Sequence, residues 1–314
     1  MIIASILALL SACDKPQEQA TPDVSADPLT AVTPTSTLLF QVYGAKDAPR
    51  IAPIAIVEGG RLAPIHLDAA GWRQVDSIFF AQGAKLSIYR DGADRGTVEV
   101  VRGMWPANDT TLYALPGCTL VVPQALGRLA STGFVEASVE YLASTTPLAQ
   151  TEEPRIAPVD ARPVARSFAN GIAAASDVGN EELASLEFVA RWLRTGAGPK
   201  GRTLLASFID PNAGDTGPGA GHTVMLMALA EEDGTGALVP SYQHVAQGEG
   251  RTVDFQRLVN HADLDGDGID ELLVEQWRYA SVPELVILKR NGDRWTESFR
   301  HSANWCLDAK TPAP

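Results

Sequence analysis

The chain has 314 residues, 45% of them hydrophobic, and its 38 acidic and 25 basic side chains leave a formal net charge of −13. That length and apolar content support two ordinary domains or one large one, each with a real core. The acidic balance argues against a nucleic-acid partner and against adsorption to anionic lipid, because both require clustered positive charge.

Residues Ile2 to Leu10 are almost wholly apolar and run into Leu10, Ser11, Ala12 and Cys13, with no Lys or Arg ahead of them. The run is too short to span a bilayer and suits the apolar segment of a signal peptide. Leu-Ser-Ala-Cys resembles a bacterial lipobox. The resemblance implies a lipoprotein signal peptide over residues 1–12, cleavage before Cys13, lipidation of that cysteine, and a membrane-anchored protein of the cell envelope outside the cytoplasm. Residues 13–36 are rich in Pro, Thr, Ala and Gln and offer little to bury, so they are expected to form a disordered tether. With Cys13 lipidated, Cys118 and Cys306 remain as an even pair in an oxidising compartment, which predicts a Cys118–Cys306 disulfide.

Residues 37–145 carry β signals. Strands are predicted over Leu38 to Tyr43, Ile54 to Val57, and Lys85 to Arg90, the last turned by Asp91-Gly92 into Thr97 to Arg102. Thr119 to Val122 makes a further strand, and Gln124 to Ala130 a short helix. This unit is expected to be a small β barrel or sandwich. Residues 146–163 hold Pro147, Pro154, Pro158 and Pro163 and read as a linker.

Residues 164–308 are expected to form an α+β domain. Helices are predicted over Val164 to Ala175 and Asn180 to Thr195. The second places Leu183, Leu186, Val189, Ala190 and Leu193 on one face, has Glu181 and Glu182 at its positive end, and stops at Gly196 and Gly198-Pro199. Strands follow at Thr203 to Ile209, His222 to Ala230, Leu238 to Val245 and Phe255 to Asn260, with a long Gly/Pro/Asp loop over Asp210 to Gly221. The fold class is therefore α+β, mainly β: the N-terminal barrel or sandwich plus an antiparallel sheet with one or two helices that ends in a metal-loop hairpin.

That hairpin begins at Asp263-Leu264-Asp265-Gly266-Asp267-Gly268-Ile269-Asp270-Glu271-Leu272. A loop wrapping one hard cation needs oxygens converging from positions 1, 3 and 5, a bend at 6 and a backbone carbonyl at 7. Asp263, Asp265 and Asp267 meet the first need, Gly268 permits the bend, Ile269 would offer its carbonyl, and Glu271 adds a carboxylate. Leu264 turns toward the core. An EF-hand would carry a bidentate Glu at position 12, where this chain has Val274, so the loop is not an EF-hand. Strands are predicted over Glu271 to Tyr279, Glu284 to Lys289 and, past the Asn291-Gly292 turn, Trp295 to Phe299. This loop-then-hairpin resembles the FG-GAP/VCBS-type calcium repeats of extracellular β-propellers over about residues 253–299. The resemblance implies one structural Ca²⁺ held by Asp263, Asp265, Asp267, Ile269 and Glu271. It is a single copy, since nothing else repeats at a period of about 40–50 residues.

No Gly-x-Ser-x-Gly elbow, His-Glu-x-x-His, Walker A or dinucleotide fingerprint is present. Gly217 to Gly221 lacks the helix and the Lys of a phosphate loop. The five histidines are scattered; His261 lies near the acidic loop and reads best as a packed strand-end imidazole. The six tryptophans offer sugar-stacking platforms, but aromatic rings more often build cores. Two functions follow. The favoured one is a membrane-anchored binding or envelope-assembly module with a structural calcium and a protein or glycan partner, rather than an enzyme. The other is a calcium-stabilised extracytoplasmic hydrolase with acid/base carboxylates.

Overall fold

The first long apolar run, Thr37–Ala45 (β1), doubles back as Arg50–Glu58 (β2), with a register shift between Leu39 and Phe40, and strand alternation sends neighbouring side chains of β1 to opposite faces. Leu38, Phe40 and Val42 point one way into a closed core, while Leu39 points out. These strands belong to a computed structural model that describes residues 31–103, 122–130, 138–149, 160–211, 213, 221–279, 281 and 283–302. The predicted signal peptide, most of the tether, and Cys13, Cys118 and Cys306 lie outside the described residues.

Lys85–Arg90 (β4), Ala93–Gly103 (β5), Ala125–Leu129 (β6) and Ser138–Ser144 (β7) complete a ring in the order β1-β7-β4-β5-β6-β2, which the β1–β2 pairing closes. Arg61–Ala63 (β3) adds an edge to β2. Of the barrel or sandwich expected, the structure has the barrel, antiparallel throughout. Its end is packed by Ala69–Phe79 (α1), which sequence reading does not identify. Asp68 caps this helix by accepting from the Gly71 N–H at 2.8 Å, and Trp72, Val75 and Phe79 enter the barrel core.

One local expectation fails here. Gln124 to Ala130 contains β6, not a helix. The strand fills the gap between β5 and β2, where Ala125 pairs with both Gly103 and Ile51. Ring closure satisfies its backbone groups in a way that an isolated helical turn would not. Of the strand expected at 119–122, only Val122 is described; it is buried outside any strand.

The second half starts with Arg162–Ala175 (α2), as expected, and Asn180–Ala184 (α3). The helix predicted to reach Thr195 ends at Ala184. Glu187–Leu193 is instead a strand (β8), paired with Thr203–Ile209 (β9) from Glu187↔Ile209 to Leu193↔Thr203. Residues 183 to 193 satisfy both periods, but Phe188, Ala190 and Trp192 alternate under α2, and an unpaired β9 edge rewards strand pairing. His222–Glu232 (β10) and Leu238–Glu249 (β11) complete a sheet of order β11-β10-β9-β8. Phe255–Ala262 (β12), Glu271–Trp277 (β13), Glu284–Asn291 (β14) and Arg294–Ser302 (β15) form a second meander sheet.

The layers stack. Ala165, Ala169 and Ile172 of α2 cover Phe188, Leu204 and Phe208. The opposite face of that sheet, with Leu205, Met225 and Met227, packs on Leu272, Val274, Val286 and Leu288 of the meander. The meander's other face, Leu273, Leu285 and Ile287, packs on Leu39, Ile54, Ala55, Tyr89 and Leu142 of the barrel. The meander is therefore covered on both sides, which explains the unbroken buried runs in β13 and β14. Each fully buried Leu or Ile there stabilises by about 1.5–3 kcal/mol relative to exposure. No described helix is long and apolar enough to cross a membrane.

Candidate metal centre

The hairpin β12–β13 closes at Ala262↔Glu271, and the eight residues between them form the acidic loop. Short polar side chains bonding to nearby backbone N–H groups shape it. Asp263 accepts from the N–H of Gly266 at 2.7 Å and of Gly268 at 3.0 Å, one on each carboxylate oxygen. Asp267 accepts from the N–H of Ile269 at 2.9 Å, and Glu271 from that of Leu264 at 2.8 Å. Gly268 has φ +85°, so the bend predicted at this glycine occurs.

The loop is held on several sides. Leu264 is buried against the barrel, and Ile269 packs into the opposite core. Asp263 forms a β-bridge with Ala149, and Asp270 donates its N–H to the Thr195 carbonyl at 2.8 Å. A Cβ on Gly196 would stand 2.2 Å from the Gly268 oxygen, so only glycine permits this approach. The acidic loop thus lies where the barrel and both C-terminal sheets meet.

One carboxylate oxygen each from Asp263, Asp265 and Asp267 lies within 4.8 Å of the others. Into this group reaches Lys289 of β14, whose ammonium donates to Asp265, to Asp267 at 3.0 Å and to Glu271 at 3.3 Å. Glu271 stands outside the tight aspartate trio but shares the same cation. Burial pushes the Asp263 carboxyl above its usual range. Burial likewise raises Glu271 to about 7, with the Asp265 charge adding to the rise and the Leu264 N–H and Lys289 opposing it. Burial acts against the Lys289 charge, yet its hydrogen bonds to Asp265 and Asp267 hold its pKa above the ordinary lysine value. Four carboxylates around one ammonium leave an excess of negative charge.

Of the five predicted donors, the three aspartates converge and Glu271 joins them through Lys289. Ile269 gives its N–H to Asp267 and its side chain to the core. Sequence reading missed Lys289. Its signal lay in the hairpin register: Leu272 pairs with Leu288, which sets the next residue of β14 beside Glu271.

Next to the loop, His261 and Asp270 form a buried pair, Nδ1 to Oδ2 at 2.7 Å, with side chains 2% and 1% exposed. The imidazole is a packed strand-end group. The backbone carbonyl of His261 accepts from the Gly92 N–H at 2.9 Å, while the Asn260 side chain accepts from the Asp91 N–H and donates to the Tyr89 carbonyl, both at 2.8 Å. These bonds fasten the β4–β5 turn of the barrel to β12.

A cleft of about 680 Å³ opens elsewhere along the meander, between β8–β9 and β12–β13. Glu187, Asp210 and Glu275 line it, but Glu275 bonds to Arg257 at 2.6 Å and Asp210 accepts from the Thr223 hydroxyl at 3.0 Å. No histidine or cysteine is among its described lining residues. Trp72 and Trp295 are core residues, whereas Trp277 lines the cleft.

No protein-family model matches this chain, and neither does any curated protein or solved structure.

Proposed function

We propose that residues 263–271 hold a structural Ca²⁺ in an exported, lipid-anchored binding or assembly module of the bacterial cell envelope. The observation that carries this reading is the convergence of Asp263, Asp265 and Asp267 on one point, with the Lys289 ammonium drawn to it and Glu271 beside it. Such an all-oxygen, anionic donor set fits a hard cation. The ion would displace Lys289 and take the three aspartates, Glu271 and the Ile269 carbonyl as ligands. Since the loop touches all three sheets, the ion would pin their junction, and millimolar extracellular calcium makes a Kd of about 10⁻⁴–10⁻³ M sufficient.

The anchor and the compartment rest on the Leu10 to Cys13 pattern, and a Cys118–Cys306 disulfide on the same compartment. Alkylation without reductant tests the pair: two modified thiols would exclude the disulfide. Melting the full chain in Ca²⁺ and in chelator tests the ion. A calcium-dependent rise in Tm supports the site, and identical curves reject it.

The hydrolase is the second reading, favoured by the presence of a cleft with three carboxylates. The engagement of Asp210 by Thr223 and of Glu275 by Arg257 weighs against an acid/base pair there.

A further inference from the structure

The cleft between β8–β9 and β12–β13 has a composition that selects among ligand classes. Its charged lining is balanced: Arg191, Arg257 and Arg278 against Glu187, Asp210 and Glu275, three minus three, or zero. The arginines are already engaged. Arg257 donates to both oxygens of Glu140 at 2.8 Å and to Glu275, Arg278 is paired with Asp254, and Arg191 donates to Asp91 at 2.9 Å. An anionic ligand would compete for the arginines with the carboxylates that already hold them, and a cationic ligand would compete with Arg257 for Glu275. A neutral ligand rich in hydroxyls competes with neither. Each ionised carboxylate has about four lone-pair sites and each guanidinium five N–H donors, so paired groups keep capacity for hydroxyls.

The remaining lining is apolar and aromatic. Of the four exposed large hydrophobic residues among the described ones, two, Val189 at 38% and Tyr279 at 39%, stand here. Trp277 is held in place by stacking on Phe255, with centroids 5.7 Å apart and planes at 26°, and by donating Nε1–H to the Ala213 carbonyl at 2.7 Å. A fixed aromatic ring beside balanced donors and acceptors suits a molecule with one C–H face and a rim of hydroxyls. The volume of about 680 Å³ lies within the roughly 300–1,000 Å³ typical of small-ligand sites.

We propose that this cleft binds a short neutral saccharide, stacked against Trp277 and Tyr279 and hydrogen-bonded by Glu187, Arg257 and Glu275. The proposal extends the binding-module reading and rests on it, but it requires neither the ion nor the anchor. The experiment is calorimetric titration of the full chain with maltose, cellobiose, lactose and N,N′-diacetylchitobiose, in parallel with a glucuronate-containing disaccharide and an uncharged extended peptide. The expected result is saturable binding of at least one neutral disaccharide, insensitive to salt. Y279A and E187Q each weaken it by roughly tenfold or more. Both side chains are exposed, so circular dichroism should match the parent, and Val239→Ser, an exposed apolar site outside the cleft, should leave affinity unchanged. No neutral disaccharide binding, binding undiminished in both cleft variants, or preference for the charged sugar or the peptide overturns the proposal. Titration repeated in chelator separates it from the calcium reading, whose own test is the melting shift.

Discussion

The Lys289 ammonium stands 3.0 Å from the Asp267 carboxylate, placing a tethered cation from β14 among acidic side chains of the β12–β13 loop. An internal ammonium partly neutralises the cluster and competes with any incoming ion. Lys289→Met should therefore raise calcium affinity by about tenfold, one partly exposed charge discounted for solvent screening. It should also lower Tm in chelator, because the carboxylates lose their counter-charge. Calorimetric titration with Ca²⁺ reads the first effect and a melting curve the second; unchanged affinity would show that the lysine does not compete.

Asp265→Asn combined with Asp267→Asn should abolish the calcium response. For the parent, calcium at a hundredfold excess over Kd adds about 2.7 kcal/mol of stability. The double variant should show no shift between calcium and chelator, and a retained shift would place the ion elsewhere.

His301 is half-buried, its shielded Nε2 has no hydrogen-bond partner among the described residues, and burial lowers its pKa from 6.5 to about 4. A folded-state pKa below the unfolded one means that the unfolded chain takes up the proton first. Stability is fully present above about 6.5 and is lost as pH falls toward about 4. Glu271, raised to about 7, acts in the opposite sense, losing stability as pH rises from its ordinary 4.5. The informative quantity is thus the difference between the parent and His301→Gln in urea midpoint across pH 4 to 7. That difference should change through the window, and a flat difference would remove His301 as a cause.

Gly92 sits at φ +72°, and a Cβ there would lie 2.6 Å from Asp270 Oδ2 and 2.9 Å from His261 Cε1. Gly92→Ala combines left-handed backbone strain with overpacking of the buried pair, a cost of about 2–4 kcal/mol. Denaturant unfolding should show the loss. A change below about 0.5 kcal/mol would mean that the barrel turn is not tightly seated on β12.

Much of the fold was legible because strand signals are local. Lys85 to Arg90 and Thr203 to Ile209 have the boundaries predicted, and Asp91-Gly92 turns as its dipeptide demands. Residues 187–193 were not legible, because their apolar spacing fits a helix and a strand alike and only the free edge of β9 decides. Residues 125–129 became a strand because the barrel needed a sixth member to close. Helix α1 escaped notice since its buried face, Trp72, Val75 and Phe79, lies in a segment whose Gly71 and Ser77 weaken the helical pattern.

Alternating carboxylates and glycines over 263–271 made the loop legible from sequence, since its carboxylates bond to backbone N–H groups only two to seven residues away. The lysine that enters the loop, the three-sheet junction it lies in, the His261–Asp270 pair under Gly92, and the cleft shared by residues from 187 to 283 were decided only by the tertiary structure. Those groups meet through strand register and layer stacking, and such pairings depend on which distant edges and apolar faces remain to be covered.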